Sequence, residues 1–170
     1  MAVINEVDRS EHLSVGSETD VLWSMLDYHR STLLWKCEGL DEEQLRRRSV
    51  TPSTLSLFEL LRHLTGAERY WFQECLLGSA LEPLYSTTPD GEIDPLDPTP
   101  VEEVVRHFLA TCQESRRIVA VHSLDEIVPS EVWGSPVSLR FIAMHMVEEY
   151  ARHCGHADLL REAIDGAVGE

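Results

Sequence analysis

Four stretches of about twenty residues or more carry apolar side chains at three- and four-residue spacing, and proline- and glycine-rich segments separate them. That period is helical, and no stretch alternates convincingly as a strand would. Amphipathic helices of this length bury their apolar faces against one another, so the chain is predicted to be all-α, a four-helix bundle.

The first helix is expected from about Glu18 to Cys37, ending near Gly39, with Ser17 and Asp20 flanking its start. A short helical turn at Asp41–Arg46 follows, broken before Pro52. The second helix opens on the capping box Ser56–Glu59, runs through Leu60, Leu61, Leu64, Trp71 and Leu76, and stops at Gly78. A long connection, residues 79–99, then carries Pro83, Pro89, Gly91, Pro95 and Pro98. A loop of that length is functional or disordered more often than incidental. The third helix is read from Thr99 as cap, Pro100 at its first position and Glu102 closing the box, and continues to about His122. Pro129, Gly134 and Pro136 mark a second loop, and the fourth helix spans about Ser138 to Ile164. The organisation expected is a polar N-terminal arm, 1–16, loosely held, and one domain over 17–166.

The apolar stripe of the fourth helix includes Ile142, Ala157, Leu160 and Ile164, yet it also carries His145, Glu149 and His153 at four-residue spacing. A carboxylate and two imidazoles on a core-facing stripe are costly unless something pairs with them. A divalent cation, completed by a ligand from another helix, would do so. His145 and His153 are separated by about 12 Å of helix rise, whereas nitrogen and oxygen ligands sit only ~2.0–2.2 Å from such an ion. One ion therefore takes an adjacent pair. Glu149 belongs to both pairs, and His145 and His153 compete to join it. For the further ligand, His63 stands beside Leu60, Leu64 and Ala67 near the edge of the second helix's apolar face. His107, three residues from Val104, is an alternative, while His12, His29 and His122 fall at surface or helix-end positions. Two imidazoles, one carboxylate and an open position make the donor set of a catalytic zinc, nickel or iron site. The plainer alternative is a buried hydrogen-bonded cluster with no ion, the carboxylate–imidazole pair being an ordinary contact one turn apart.

The formal charge of −16 over 170 residues argues against nucleic acid and against an anionic membrane surface. No run approaches the ~18 apolar residues of a membrane span. Cys37, Cys75, Cys112 and Cys154 are widely spaced, with no C-x-x-C pair, and read as buried free thiols of a reducing compartment. The N-terminus shows neither the basic nor the apolar region of a signal peptide, so the location expected is cytoplasmic.

Two segments carry a family resemblance. Residues 56–72, Ser-Leu-Phe-Glu-Leu-Leu-Arg-His-Leu-Thr-Gly-Ala-Glu-Arg-Tyr-Trp-Phe, resemble the second helix of the DinB superfamily (DinB/YfiT-like proteins). Residues 148–162, Glu-Glu-Tyr-Ala-Arg-His-Cys-Gly-His-Ala-Asp-Leu-Leu-Arg-Glu, resemble its last long helix. The resemblance extends to helix order and to the long connection between helices 2 and 3, and its nearest branch is related to the mycothiol-dependent maleylpyruvate isomerases. It implies a four-helix bundle holding a divalent metal through His63, Glu149 and His153. Many relatives have histidine at the middle position; the glutamate here matches the isomerase branch. His156 falls where many relatives carry glutamine, as an outer-shell or pocket residue, and His145 becomes the reserve ligand or a proton carrier.

The chemistry implied is that of a metal-dependent transferase or isomerase in which a small thiol, mycothiol or one like it, attacks a small electrophile. Coordination lowers a thiol's pKa so that the nucleophilic thiolate exists near neutral pH. Zinc is the leading ion, with nickel or iron as alternatives. Arg62, Arg69, Arg140 and Arg152 are candidate cations for an anionic thiol, although Arg152 also stands four residues from Glu148. Cys154 is a lesser candidate nucleophile. The contrasting function class is a non-catalytic metal-binding bundle with a stress-linked or regulatory role. A homodimer is the assembly the resemblance admits.

Overall fold

The computed structural model describes residues 1–9, 11–87 and 97–169. The chain is mostly helical, with one small two-stranded sheet. Its elements are α1 (Glu18–Cys37), α2 (Glu42–Arg46), α3 (Leu57–Glu68) continued by a π-helical segment (Arg69–Cys75), α4 (Val101–Val119), β1 (Ile127–Val132), β2 (Ser135–Ser138) and α5 (Leu139–Asp165). The chain divides into two compact units, Met1–Leu61 with Val147–Glu170, and Arg62–Met146. The helices α3 and α5 each run through the division.

In the first unit the caps lie where the sequence signals them. The Ser17 hydroxyl accepts from the Asp20 amide at 3.1 Å, and Asp41 and Gln44 form a reciprocal capping box at the start of α2. Between them the chain leaves α1 through Gly39 at φ +77°, a left-handed turn that a side chain would strain. Ser56 Oγ accepts from the Glu59 amide at 3.2 Å and starts α3. Leu26, Leu33, Leu45, Leu57, Tyr150 and Ala157 are fully buried. Removing each large apolar side chain from water contributes about 1.5–3 kcal/mol. The helices α1 and α5 are also tied by polar contacts: Lys36 Nζ is 2.6 Å from Asp158, and Arg161 Nη1 donates to the Lys36 and Glu38 carbonyls at 3.0 and 2.7 Å.

The N-terminal residues depart from the loose arm expected of them. The Val3 amide donates to the Leu40 carbonyl at 3.1 Å, the Gly39 amide to the Ile4 carbonyl at 3.0 Å, and Ile4 is buried. Arg9 then lies 4.7 Å above both the Tyr28 and Trp35 rings and donates to Thr32 Oγ1 at 3.1 Å. One isoleucine and one arginine stem, both able to cover apolar surface, are enough to pin a polar segment.

In the second unit the helix expected to run to Leu76 changes its winding at Arg69. The Leu76 amide reaches back five residues to the Trp71 carbonyl at 3.2 Å, and the helical run ends at Gly78, φ +68°. Trp71, Phe72, Cys75 and Leu76 are buried on this widened turn, which packs against both α4 and β1.

Two expectations are corrected here. Thr99 does not cap α4: the cap position is Pro100, whose carbonyl accepts from the Glu103 and Val104 amides at 3.0 and 3.1 Å. The Thr99 amide is instead drawn to Asp97 Oδ1 at 2.9 Å. The segment read as a proline-bearing loop is an antiparallel hairpin, so the chain is not purely α-helical. Its two-residue turn, Trp133 at φ +52° and Gly134 at φ +75°, has both residues in the left-handed region that suits the twist of paired strands. Pro129 is tolerated because the register is irregular between Ile127 and Glu131.

Of the connection 79–99, residues 88–96, with Pro89, Gly91 and Pro95, lie outside the described residues. Its base is held by Asp97, whose Oδ2 accepts from the Ser86 amide at 2.6 Å and the Ser86 hydroxyl at 2.7 Å. Arg62, fully buried, places Nη2 4.0 Å from the same carboxylate and its guanidinium 5.0 Å from the centre of the Tyr85 ring.

Candidate metal centre

His63 lies in the middle of α3, and Glu149 and His153 stand one turn apart on α5; each offers one donor atom of the kind a divalent ion takes. His63 is exposed; Glu149 and His153 are half-buried. His153 Nε2 stands 3.1 Å from Glu149 Oε1. Two ligands ~2.1 Å from a tetrahedral ion are about 3.4 Å apart, so this pair has close to the edge length that such a site requires. The donor set, two neutral-capable imidazoles and a carboxylate, fits zinc and its first-row neighbours.

Outside this set, His156 places Nδ1 3.3 Å from His153 Nδ1, so both nitrogens of the His153 ring are engaged. The imidazole plane is thereby fixed from its far side. His145 belongs to a different environment within the second unit. Its ring is 4.7 Å from that of Trp71, stacks on Phe141 at 6.1 Å with 4° between planes, and lies 6.1 Å from Trp133. His107 is likewise engaged elsewhere, with Nε2 3.6 Å from Glu103 and its ring 5.8 Å from Tyr85.

The cysteines are poor nucleophiles. None of the four is in a disulfide, and all are buried. Burial pushes the Cys37 and Cys154 thiols up to about 12, and raises Cys75 as well. The Cys154 Sγ–H points to the His29 carbonyl at 3.5 Å.

Three of the four candidate arginines are committed to carboxylates: Arg62 to Asp97, Arg140 to Asp125, and Arg152 to Glu148 at 2.6 Å. Arg69 instead donates to the Glu82 backbone carbonyl at 2.7 Å and faces a surface cleft. That cleft, lined by Gly66, and the aromatic ring around His145 escape the sequence reading. A glycine in a helix interior is the one signal for the first; the hairpin that brings Trp133 to the second left none.

Residues 21–166 match the family described as Mycothiol-S-transferase. The chain belongs to that family. It is thereby placed in the DinB-like superfamily, in the company of mycothiol-dependent enzymes. No curated protein matches the chain. Among the described residues, no helix of this family member is long and apolar enough to cross a membrane.

Proposed function

We propose that the chain is a divalent-metal-dependent S-transferase that joins mycothiol, or a closely similar small thiol, to a small electrophile. The observation that carries the reading is the Glu149–His153 donor pair, 3.1 Å apart on α5, in a chain whose residues 21–166 match the Mycothiol-S-transferase family. These three side chains would hold the ion, zinc being the leading candidate, with the remaining coordination position open to the thiol. When bound, the cation supplies the positive charge that makes a thiol acidic enough to ionise near neutral pH.

The protein's own residues set the geometry for this. Glu149 and His153 present their donors from consecutive turns of one helix, where backbone hydrogen bonding fixes their spacing. With Nε2 given to the ion, His153 would carry its proton on Nδ1 and donate it to His156 Nδ1, 3.3 Å away. Such an outer contact holds the ligand in the binding tautomer and raises its basicity. The half-burial of Glu149 and His153 limits competing water.

The transfer step is a displacement. The thiolate sulfur attacks the electrophilic carbon, an S–C bond forms, the bond from that carbon to its leaving group breaks, and the leaving group departs with the electron pair. The thiol proton passes to solvent. Cys37, Cys75 and Cys154 take no part, since burial keeps their thiols protonated.

The remaining features belong to the same reading. The helices α1, α3, α4 and α5 form the four-helix bundle of the superfamily, residues 17–166 make one domain, and the protein acts in the cytoplasm as a homodimer. The deciding experiment pairs elemental analysis with a transfer assay on untagged protein. About one ion per chain in the wild type, lost together with mycothiol conjugation of a bimane halide in Glu149→Ala, supports the reading. Metal-free wild-type protein that conjugates nothing after incubation with zinc or nickel overturns it, and leaves the three residues as a hydrogen-bonded cluster.

A further inference from the structure

One helical turn past His63, α3 carries Gly66, and a Cβ built there would meet nothing within 4 Å. Glycine in a helix interior costs about 1 kcal/mol relative to alanine. Here Gly66 lines a cleft of about 320 Å³, together with Arg69 and Glu74 from its own helical run and Glu82, Leu84 and Tyr85 from the segment that follows. The volume lies at the small end of the range for small-molecule sites. The Arg69 contact to the Glu82 carbonyl ties the two stretches together, so the cleft is braced. All of these residues belong to the second unit.

The lining selects a ligand class. One guanidinium against two carboxylates leaves the cleft with a net charge of −1, within a chain of −16. An anionic group is repelled there. A neutral polyol is not: its hydroxyls donate to the Glu74 and Glu82 carboxylates and accept from Arg69, while its C–H faces lie against Leu84 and Tyr85.

We propose that the cleft over Gly66 is the binding site for a neutral, polyhydroxylated ligand, the sugar-like portion of the thiol cosubstrate. The identity of the thiol rests on the transfer reading above; the site and its preference for uncharged hydroxyl-rich groups rest on the cleft alone. The consequence is discrimination among thiols. Glutathione, with its two carboxylates, is rejected at the cleft however well its sulfur would suit the metal centre.

The test uses the metal-bound, full-length protein and S-methylated mycothiol, which keeps the sugar portion and cannot form a thiolate. Calorimetric titration is expected to show binding to wild type and no binding of S-methylglutathione. Gly66→Leu fills the cleft and is expected to weaken binding by tenfold or more, about 1.4 kcal/mol. Metal content and thermal midpoint are measured alongside. Gly66→Ala, which adds one methyl group to open space, keeps most of the affinity and serves as the folding control. Arg69→Gln and Glu74→Gln each weaken binding severalfold.

Failure of wild type to bind S-methylmycothiol, or equal binding by wild type and Gly66→Leu, overturns the proposal. The two readings fail separately. Binding abolished by Gly66→Leu in a protein that conjugates nothing keeps the cleft and removes the transferase. Conjugation whose KM for mycothiol is unmoved by Gly66→Leu keeps the transferase and removes the cleft.

Discussion

His156 Nδ1 lies 3.3 Å from His153 Nδ1, on the side of the His153 ring opposite Glu149. An imidazole engaged at both nitrogens has neither its plane nor its tautomer free. If His153 is a ligand, removing its outer contact lets the ring rotate, and affinity falls although no ligand is lost. His156→Ala is expected to lower zinc affinity by about 10–100-fold, the range typical of outer contacts. His156→Gln, which can still accept through its side-chain carbonyl, restores part of it. Competition with a chromophoric chelator measures both. Equal affinity in wild type and His156→Ala would make His156 a bystander on the helix.

A second expectation concerns the thiols. With Cys37 and Cys154 pushed up to about 12 by burial, both thiols stay almost wholly protonated at neutral pH. Native protein is therefore expected to resist alkylation by iodoacetamide at both positions and to react once unfolded. Cys154→Ser keeps its S-transfer activity. Rapid native labelling of Cys154, with parallel loss of conjugation, would return it to the list of nucleophiles.

The sequence is most legible where one local signal decides the geometry. Ser17, Asp41 and Ser56 each announce a helix start, and Gly39 and Gly78 each end a helical run, because capping and left-handed φ are properties of a few adjacent residues. The four-residue spacing of Glu149 and His153 is of the same kind. Choosing His63 over His107 as the further donor needed tertiary structure, since both residues sit near apolar positions of their helices. The family resemblance, not the periodicity, made that choice. Other features had no local signal strong enough. Pro129 and Pro136 spoke against strands, yet the Trp133–Gly134 turn and an irregular register accommodate both. The π segment keeps helical composition while inserting a residue into the turn, which a 3.6-residue pattern cannot register. His145 shares the stripe of Glu149 and His153, but Trp71, Trp133 and Phe141 enclose it, and two of those rings come from distant sequence.

Asp97 provides a pH test. Burial pushes its carboxyl up, but the hydrogen bonds from Thr99 and Ser86 outweigh this and hold it well below the ordinary carboxylate range. A folded pKa below the unfolded value of ~3.9 means the unfolded state binds the proton more readily. The contribution is thus fully present above about pH 5 and is lost as pH falls through ~4 toward the folded value. At pH 7, Asp97→Asn is expected to cost about 1–3 kcal/mol, the value of hydrogen bonds to a charged acceptor. The difference from wild type should shrink steadily as pH falls from about 4 to 2. Urea unfolding at several pH values measures it. A gap between the two proteins that is constant with pH would show that the contacts at Ser86 and Thr99 do not depend on ionisation.

The N-terminal segment gives the last test, because a polar composition hides its anchoring. Ile4 is 8% exposed, Val3 and Ile4 exchange backbone hydrogen bonds with Leu40 and Gly39, and Arg9 lies over Tyr28 and Trp35. Burying one isoleucine contributes about 1.5–3 kcal/mol, and each exposed cation–π contact adds about 0.5–1 kcal/mol. Against these stands the entropy of ordering nine residues, so the net effect is a fraction of the sum. Deleting residues 1–9 is expected to destabilise the protein by about 1–3 kcal/mol while leaving metal content unchanged, since no candidate ligand lies there. Ile4→Ala should reproduce at least half of the loss. If the deletion leaves the unfolding midpoint where it was, the segment's contacts are not held in solution. If Ile4→Ala is silent while the deletion is costly, the anchor is Arg9 on its two rings, and Arg9→Ala will carry the effect instead.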